Sequence, residues 1–265
     1  LSDDSISGIT EFARFIHDFN AFTDRHIQTP EGFCSWYYYM GNINERMVYE
    51  NLAKCDNIRD RVPLKIFQID DGWFTGSQVW EANESRFPKG MKFYADLIRE
   101  HGYTPGIWLT PFNFWKDTDT VKNHPDWFVH TKSGEFAEKD GCCMLDATHP
   151  EVQEHIRKLY RKLTFDWGFR YLKIDIVSVY MTVGIYHDPN AGALQNLREY
   201  FRLIRESVHP DTYIIGCTCP MFEVAEFVDG MRVSGDIFEL WESLIEVFNV
   251  IFKRFFMNRT LYISD

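Results

Sequence analysis

Apolar residues along this chain follow two alternating rhythms. Short runs in which every second residue is apolar, the period of a β-strand, are each followed by a longer stretch with apolar residues three and four apart, the period of a helix. The strand-like runs are "GFCSWYYY" (32–39), "LKIFQIDD" (64–71), "TPGIWLTPF" (104–112), "YLKIDIV" (171–177), "YIIGCTCP" (213–220), "DGMRVS" (229–234) and "TLYISD" (260–265). Helical patterns between them include "NERMVYENLAKCDNIRD", "MKFYADLIREHG", "HPEVQEHIRKLYRKLTFDWG" and "NLREYFRLIRESV". In "THPE" a threonine stands three residues before a glutamate, as in a capping box, and Gly168 is placed to close the helix that follows. The opening "ITEFARFIHDFNAFTDRH" is amphipathic and reads as a lead-in, not as a further strand.

Strands alternating with helices predict βαβ units and a parallel sheet. The polar residues then choose between architectures. Asp70, Asp71, Asp175 and Cys217 fall at the C-terminal ends of their strands and Asp236 just past its own. A (β/α)₈ TIM barrel assembles its site there from several strands. No G-x-G-x-x-G follows any strand, which weakens a dinucleotide-binding fold. Seven strands precede Asp265, so the expectation is a TIM barrel truncated before its eighth strand. Residues 1–28 form a helical lead-in and 29–265 the barrel. The run "CCMLDAT" (142–148) reads as part of an insertion before the fourth helix.

Composition narrows the function. With 39 acidic against 28 basic residues the net charge is -11, which disfavours nucleic acid as a partner. No apolar run is long enough to span a membrane, and no basic-then-apolar leader is present, which predicts a cytoplasmic location. The six cysteines are not spaced as a disulfide framework or a zinc site, so no metal and no cofactor are expected. Aromatics reach 17%; packing takes much of that, and sugar sites also use aromatic faces.

Two carboxylates carry the candidate chemistry. Asp175 follows Lys173 by two residues, so both side chains point into the same space. Arg232, Ser234 and Asp236 share a parity in the same way. Aspartates at two strand mouths can face each other across a pocket, which is what glycoside hydrolysis needs. Lys173 favours ionised Asp175. Asp236 must be protonated for part of a cycle, and Arg232 opposes that unless its guanidinium is aimed at substrate. A buried Lys173–Asp175 ion pair packing the interior is the plain structural alternative. Lys173 as a Schiff-base lysine of an aldolase is another.

The series "GFCSWYYY", "FQIDDGW", "PGIWLTPF", "HPDWFV", "MLDATHPEV", "GFRYLKIDIV", "IIGCTCP" and "VDGMRVSGD" closely resembles the catalytic barrel of glycoside hydrolase family 36, the melibiase-type α-galactosidases. The resemblance implies a retaining exo-α-galactosidase without metal or cofactor. By it Asp175 is the nucleophile and Asp236 the acid/base. Asp70, Asp71, Lys173 and Arg232 bind sugar hydroxyls, Trp108 forms part of the pocket, and Cys217 lies near the 2-position. The family's flanking β-rich domains have no counterpart in this chain, and Cys219 has no role in its pattern. The same scaffold also suits an α-N-acetylgalactosaminidase or an α-galactosyl transferase, and a non-catalytic sugar-binding barrel is a further alternative. The expected partner is an α-galactoside, with assembly into a homo-oligomer left open.

Overall fold

The computed structural model describes residues 4–20, 22, 30–76, 80–179 and 181–265. Helix α1 (Ser5–Phe19) begins the described chain, capped by Asp4, whose carboxylate accepts the amides of Ile6 and Ser7. The expected lead-in is thus helical over this span, and the rest of 1–28, apart from Asp4, Asn20 and Phe22, lies outside the described residues. Then come β1 (Gly32–Cys34), α2 (Trp36–Tyr39), α3 (Glu45–Ile58), β2 (Ile66–Ile69), α4 (Gly90–Glu100) and β3 (Thr104–Leu109). A smaller antiparallel sheet follows, from β4 (Asn113–Trp115), β5 (Glu138–Lys139) and β6 (Cys142–Met144), with α5 (Asp119–Asn123) between the first two. The chain returns through α6 (Pro150–Arg161), β7 (Tyr171–Ile174), α7 (Ala193–Ser207), β8 (Tyr213–Gly216), β9 (Gly230–Met231), α8 (Trp241–Arg254) and β10 (Ile263–Ser264).

Seven strands form one parallel sheet in the order β1-β2-β3-β7-β8-β9-β10. They are the seven expected strands, each shorter than its apolar run. Cys142–Met144 belongs to the small sheet, in keeping with its reading as an insertion. The sheet is curled: Tyr37, just past β1, accepts a hydrogen bond from Arg232, just past β9.

Both faces of this sheet are covered, and the period-two pattern decides what each covers. Phe67, Ile69, Ile107, Leu109, Leu172, Ile174 and Ile214 face outward into the main core with α3, α4, α6 and α7. The alternate residues Ile66, Tyr171, Tyr213 and Ile215 make a second, small cluster on the concave face. Tyr171 and Tyr213 stack there with planes 8° apart. Gly106 lies opposite Tyr171 in the register, and a Cβ at this position would come within 3.1 Å of both Gln68 and Tyr171. This cluster narrows the interior below Lys173 to a small cavity of about 150 Å³ lined by Ile66, Tyr171, Ile215 and Lys173, and a second, polar cavity lies at the strand ends.

One helix start differs from the expected capping box. The residue that caps α6 is His149, whose Nδ1 accepts the Glu151 amide. Thr148 instead donates to Asp146 at 2.6 Å, and the Glu151 carboxylate accepts the Trp127 indole at 3.0 Å. Asp146, two residues earlier, competes better for the threonine hydroxyl than an exposed amide does. The other end is as expected. Gly168 (φ +83°) follows a π-helical turn over Lys162–Asp166, and the Phe169 amide reaches back to the Leu163 carbonyl.

Candidate active site

Each main-sheet strand of the central group ends just before a polar side chain, so the parallel arrangement gathers these groups at one end. Trp36, Asp70, Trp108, Lys173, Asp175, Cys217, Thr218, Arg232, Ser234 and Asp236 line one cavity of about 250 Å³. Arg232, Ser234 and Asp236 enter it together, as their shared parity predicts. Of the residues expected in the site, Asp71 alone is not in this lining. It sits beside Asp70, against the Gly41 turn.

Asp175 is the most constrained of these groups. Its Oδ2 accepts the Trp108 indole at 3.0 Å. Its Oδ1 accepts the Ile176 amide at 2.6 Å and the Thr218 hydroxyl at 2.8 Å. Burial by itself would raise this carboxyl. The Trp108 indole, the Lys173 charge, the Cys217 thiol and the Ile176 amide together outweigh it and hold Asp175 below the usual carboxylate value.

Lys173 does not form the simple pair with Asp175 that its spacing allows. Its ammonium is 3.1 Å from Oδ2 of Asp70, and both side chains are almost fully buried. Asp70 is further held by Gln68 Nε2 at 2.5 Å, by the Cys34 thiol, and through its own amide by Ser35. Lys173 therefore contributes to Asp175 through space, while Asp70 fixes its position. Burial would lower the Lys173 pKa, but Asp70, Cys217, Cys34 and Asp175 reverse this and raise it. A lysine held charged in this way is the opposite of what Schiff-base chemistry requires.

Asp71 shows the reverse balance. Burial first, then the carboxylates of Asp70 and Asp175, push its pKa up against the Gly72 amide and the Arg86 charge. Cys217 is pushed up to about 12 by burial and by Asp175, so its thiol stays neutral. Cys219 turns away from the cavity: its thiol donates to the Cys217 carbonyl at 3.2 Å, and its side chain packs in the main core. Its part is to anchor the loop after β8.

Across the cavity, Asp236 accepts Arg232 Nη1 at 2.8 Å on one oxygen and the Trp36 indole at 2.9 Å on the other. Arg232 also donates to Asp265 at 2.6 Å and to Tyr37 at 2.8 Å. Its guanidinium is thus aimed at the carboxylates of its own chain, with its side chain 11% exposed.

Trp36, Thr218 and Ile176 are site residues that the sequence patterns did not single out. Trp36 lies in the run read as a strand over 32–39, where the chain turns into α2 after Cys34. Trp108 itself is buttressed from below. Trp73 donates its indole to the Trp108 carbonyl at 2.7 Å, and the Phe74 ring lies near-parallel to that of Trp108. Among the described residues no group of three or more His, Cys, Asp or Glu is placed to hold a metal ion. Nor is any helix long and apolar enough to cross a membrane.

The class is that of α/β proteins with a polar, carboxylate-bearing site at the C-terminal ends of a curled parallel sheet. The chain belongs to the melibiase family, whose model matches residues 35–202. It is 25% identical over 171 residues to the α-galactosidase Mel36A of Lactobacillus acidophilus, a match covering 60% of this chain and 23% of that protein. Against an α-galactosidase of Escherichia coli it is 27% identical over 147 residues, 52% of this chain and 20% of the relative. In structure it is similar to TtGalA, the α-galactosidase of Thermus thermophilus, solved in complex with stachyose. That likeness has a TM-score of 0.79 at 26% identity and covers 98% of this chain and 57% of TtGalA. The complex of TtGalA with p-nitrophenyl α-D-galactopyranoside gives 0.73 at 30% identity over 88% of this chain and 46% of that one. The chain thus spans about a fifth to a quarter of these curated relatives and about half of TtGalA.

Proposed function

We propose that this chain carries the catalytic site of a retaining exo-α-galactosidase, built on seven strands of a (β/α)₈ barrel. The observation that carries the reading is Asp175: a carboxylate kept ionised by donors from three segments, lining one cavity with a second carboxylate, Asp236. Membership of the melibiase family and likeness to α-galactosidases solved with stachyose and with an aryl α-galactoside support the substrate class. Asp175 attacks the anomeric carbon while Asp236 protonates the leaving oxygen. Asp236 then removes a proton from water, which displaces Asp175 and releases α-galactose. The Arg232 contact stabilises the carboxylate that Asp236 becomes once its proton has gone. Asp70, placed by Lys173 and Gln68, and Trp108 supply the polar floor and the apolar wall against which a sugar ring would rest.

The test is release of p-nitrophenol from p-nitrophenyl α-D-galactopyranoside. Wild type is expected to turn it over and leave the β-anomer untouched, and Asp175→Ala to lose at least about a thousandfold in kcat. Equal rates for the two proteins would refute the assignment.

A further inference from the structure

Two β-branched residues beside the Asp175 carboxylate have left-handed backbones: Ile176 at φ +55° and Thr218 at φ +50°. A β-branched residue is seldom found there, and the conformation persists only where its surroundings impose it. At Thr218 the imposing contacts are identifiable. Its carbonyl accepts both the amide of Ser178 at 2.9 Å and the hydroxyl of Ser178 at 2.6 Å. The next residue, Cys219, is locked in the core. These bonds tie the loop after β8 to the loop after β7. The arrangement they enforce delivers the Thr218 hydroxyl to Oδ1 of Asp175 at 2.8 Å.

The two oxygens of Asp175 are consequently unequal. Beside the nearby Cys217 thiol, Oδ1 accepts two donors, from Ile176 and Thr218, and Oδ2 accepts one, from Trp108. An oxygen with more donors is the poorer nucleophile and the better seat for negative charge. We propose that Thr218 is a positioning residue that differentiates these oxygens, reserving Oδ2 for attack and Oδ1 as the carbonyl oxygen of the galactosyl ester.

This rests on the double displacement proposed above. In its first step the bond from Oδ2 to the anomeric carbon forms as the glycosidic bond breaks, and the proton of Asp236 goes to the leaving oxygen. In the second, water bonds to the anomeric carbon and its proton passes to Asp236. The electron pair of the ester bond returns to Asp175, where the Thr218 hydroxyl stabilises it.

Three variants separate this role from mere packing. Thr218→Val keeps the shape and the backbone strain but loses the hydroxyl, Thr218→Ser keeps the hydroxyl, and Thr218→Gly removes both hydroxyl and strain. Lys173, Cys217, Asp71 and Trp108 beside Asp175, and Arg232 and Asp236 across the cavity, are the same in all three. Thr218→Val is expected to lower kcat about ten- to a hundredfold, the worth of one hydrogen bond to a charged group, with KM within about twofold. Thr218→Ser should stay within about twofold of wild type. Thr218→Gly should lose kcat as Val does while melting at a higher temperature. A ¹³C carboxyl NMR titration of Asp175 should move to higher pH in the Val and Gly proteins and not in Ser. Wild-type turnover in Thr218→Val with an unmoved titration, or an equal fall in Ser and Val, would overturn the proposal. A wild type inactive on the aryl galactoside would instead refute the proposed reaction. The carboxyl titration needs no turnover, and would then decide on Thr218 alone.

Discussion

Asp175 stands one residue beyond β7, and its oxygens take neutral donors from three segments, with Ile174 and Val177 buried on either side. Asp236 lies in the loop after β9, between exposed residues, held by one guanidinium and one indole, with a third of its side chain open. The contrast fits the roles proposed for the two carboxylates. A nucleophile must be ionised and aimed at every turnover, which a rigid cage of donors secures at some cost to its nucleophilicity. An acid/base must gain and lose a proton, so it needs contact with water and partners that do not fix one state permanently.

The comparison is broken most severely at Asp175. Asp175→Asn should fold normally, with an unchanged circular dichroism spectrum, and lose about a thousandfold or more in kcat on every galactoside. Asp236→Asn should differ in kind. Its loss should be about 10²–10⁴-fold on a sugar leaving group, which needs a proton, and much smaller for formation of the enzyme ester from p-nitrophenyl galactoside, which does not. Single-turnover kinetics on the two substrates checks this, and equal losses on both would erase the distinction between the walls.

Trp108→Phe tests how Asp175 is kept ionised. Asp175 lies below its ordinary value in the folded protein, so its contribution to stability is present at neutral pH and disappears as pH falls through the folded value. Removing the indole donor should move the acid limb of kcat/KM to higher pH and lower kcat by about tenfold. Asp71 gives the smallest effect and the opposite sign. Its raised pKa means that the ionised form costs stability at neutral pH, a cost that vanishes as pH falls through the folded value. Asp71→Asn should therefore raise Tm at neutral pH by on the order of one or two degrees, with no gain in acid, while kcat/KM falls.

Much of this organisation is legible in the sequence because period-two alternation and the positions of polar residues at run ends are local properties. They locate all seven strands of the main sheet and point to Asp70, Lys173, Asp175, Cys217, Arg232 and Asp236, which share one cavity, while Trp108 is indicated only by the family resemblance. What they miss depends on contacts between loops. Thr218 reaches Asp175 only because Ser178 and Cys219 hold its backbone in a left-handed turn that no local pattern encodes. Lys173 prefers Asp70 to the nearer-in-sequence Asp175 because the curl of the sheet brings the end of β2, two strands away from β7 in the order, to its ammonium. The aromatic run 32–39 has strand composition throughout, yet Ser35 binds the Asp70 amide and the chain coils into α2, bringing Trp36 to Asp236. The threonine of "THPE" is taken by Asp146, a competitor two residues before the motif.

The central claim, that Asp175 is the attacking group, is tested most directly by trapping the ester. The protein is incubated with an activated fluorinated α-galactoside whose enzyme ester hydrolyses slowly, digested, and mapped by mass spectrometry. The account predicts one galactosyl adduct, on the peptide containing Asp175, absent from Asp175→Asn. An adduct on another residue, or turnover of the aryl galactoside that yields β-galactose first, would contradict it.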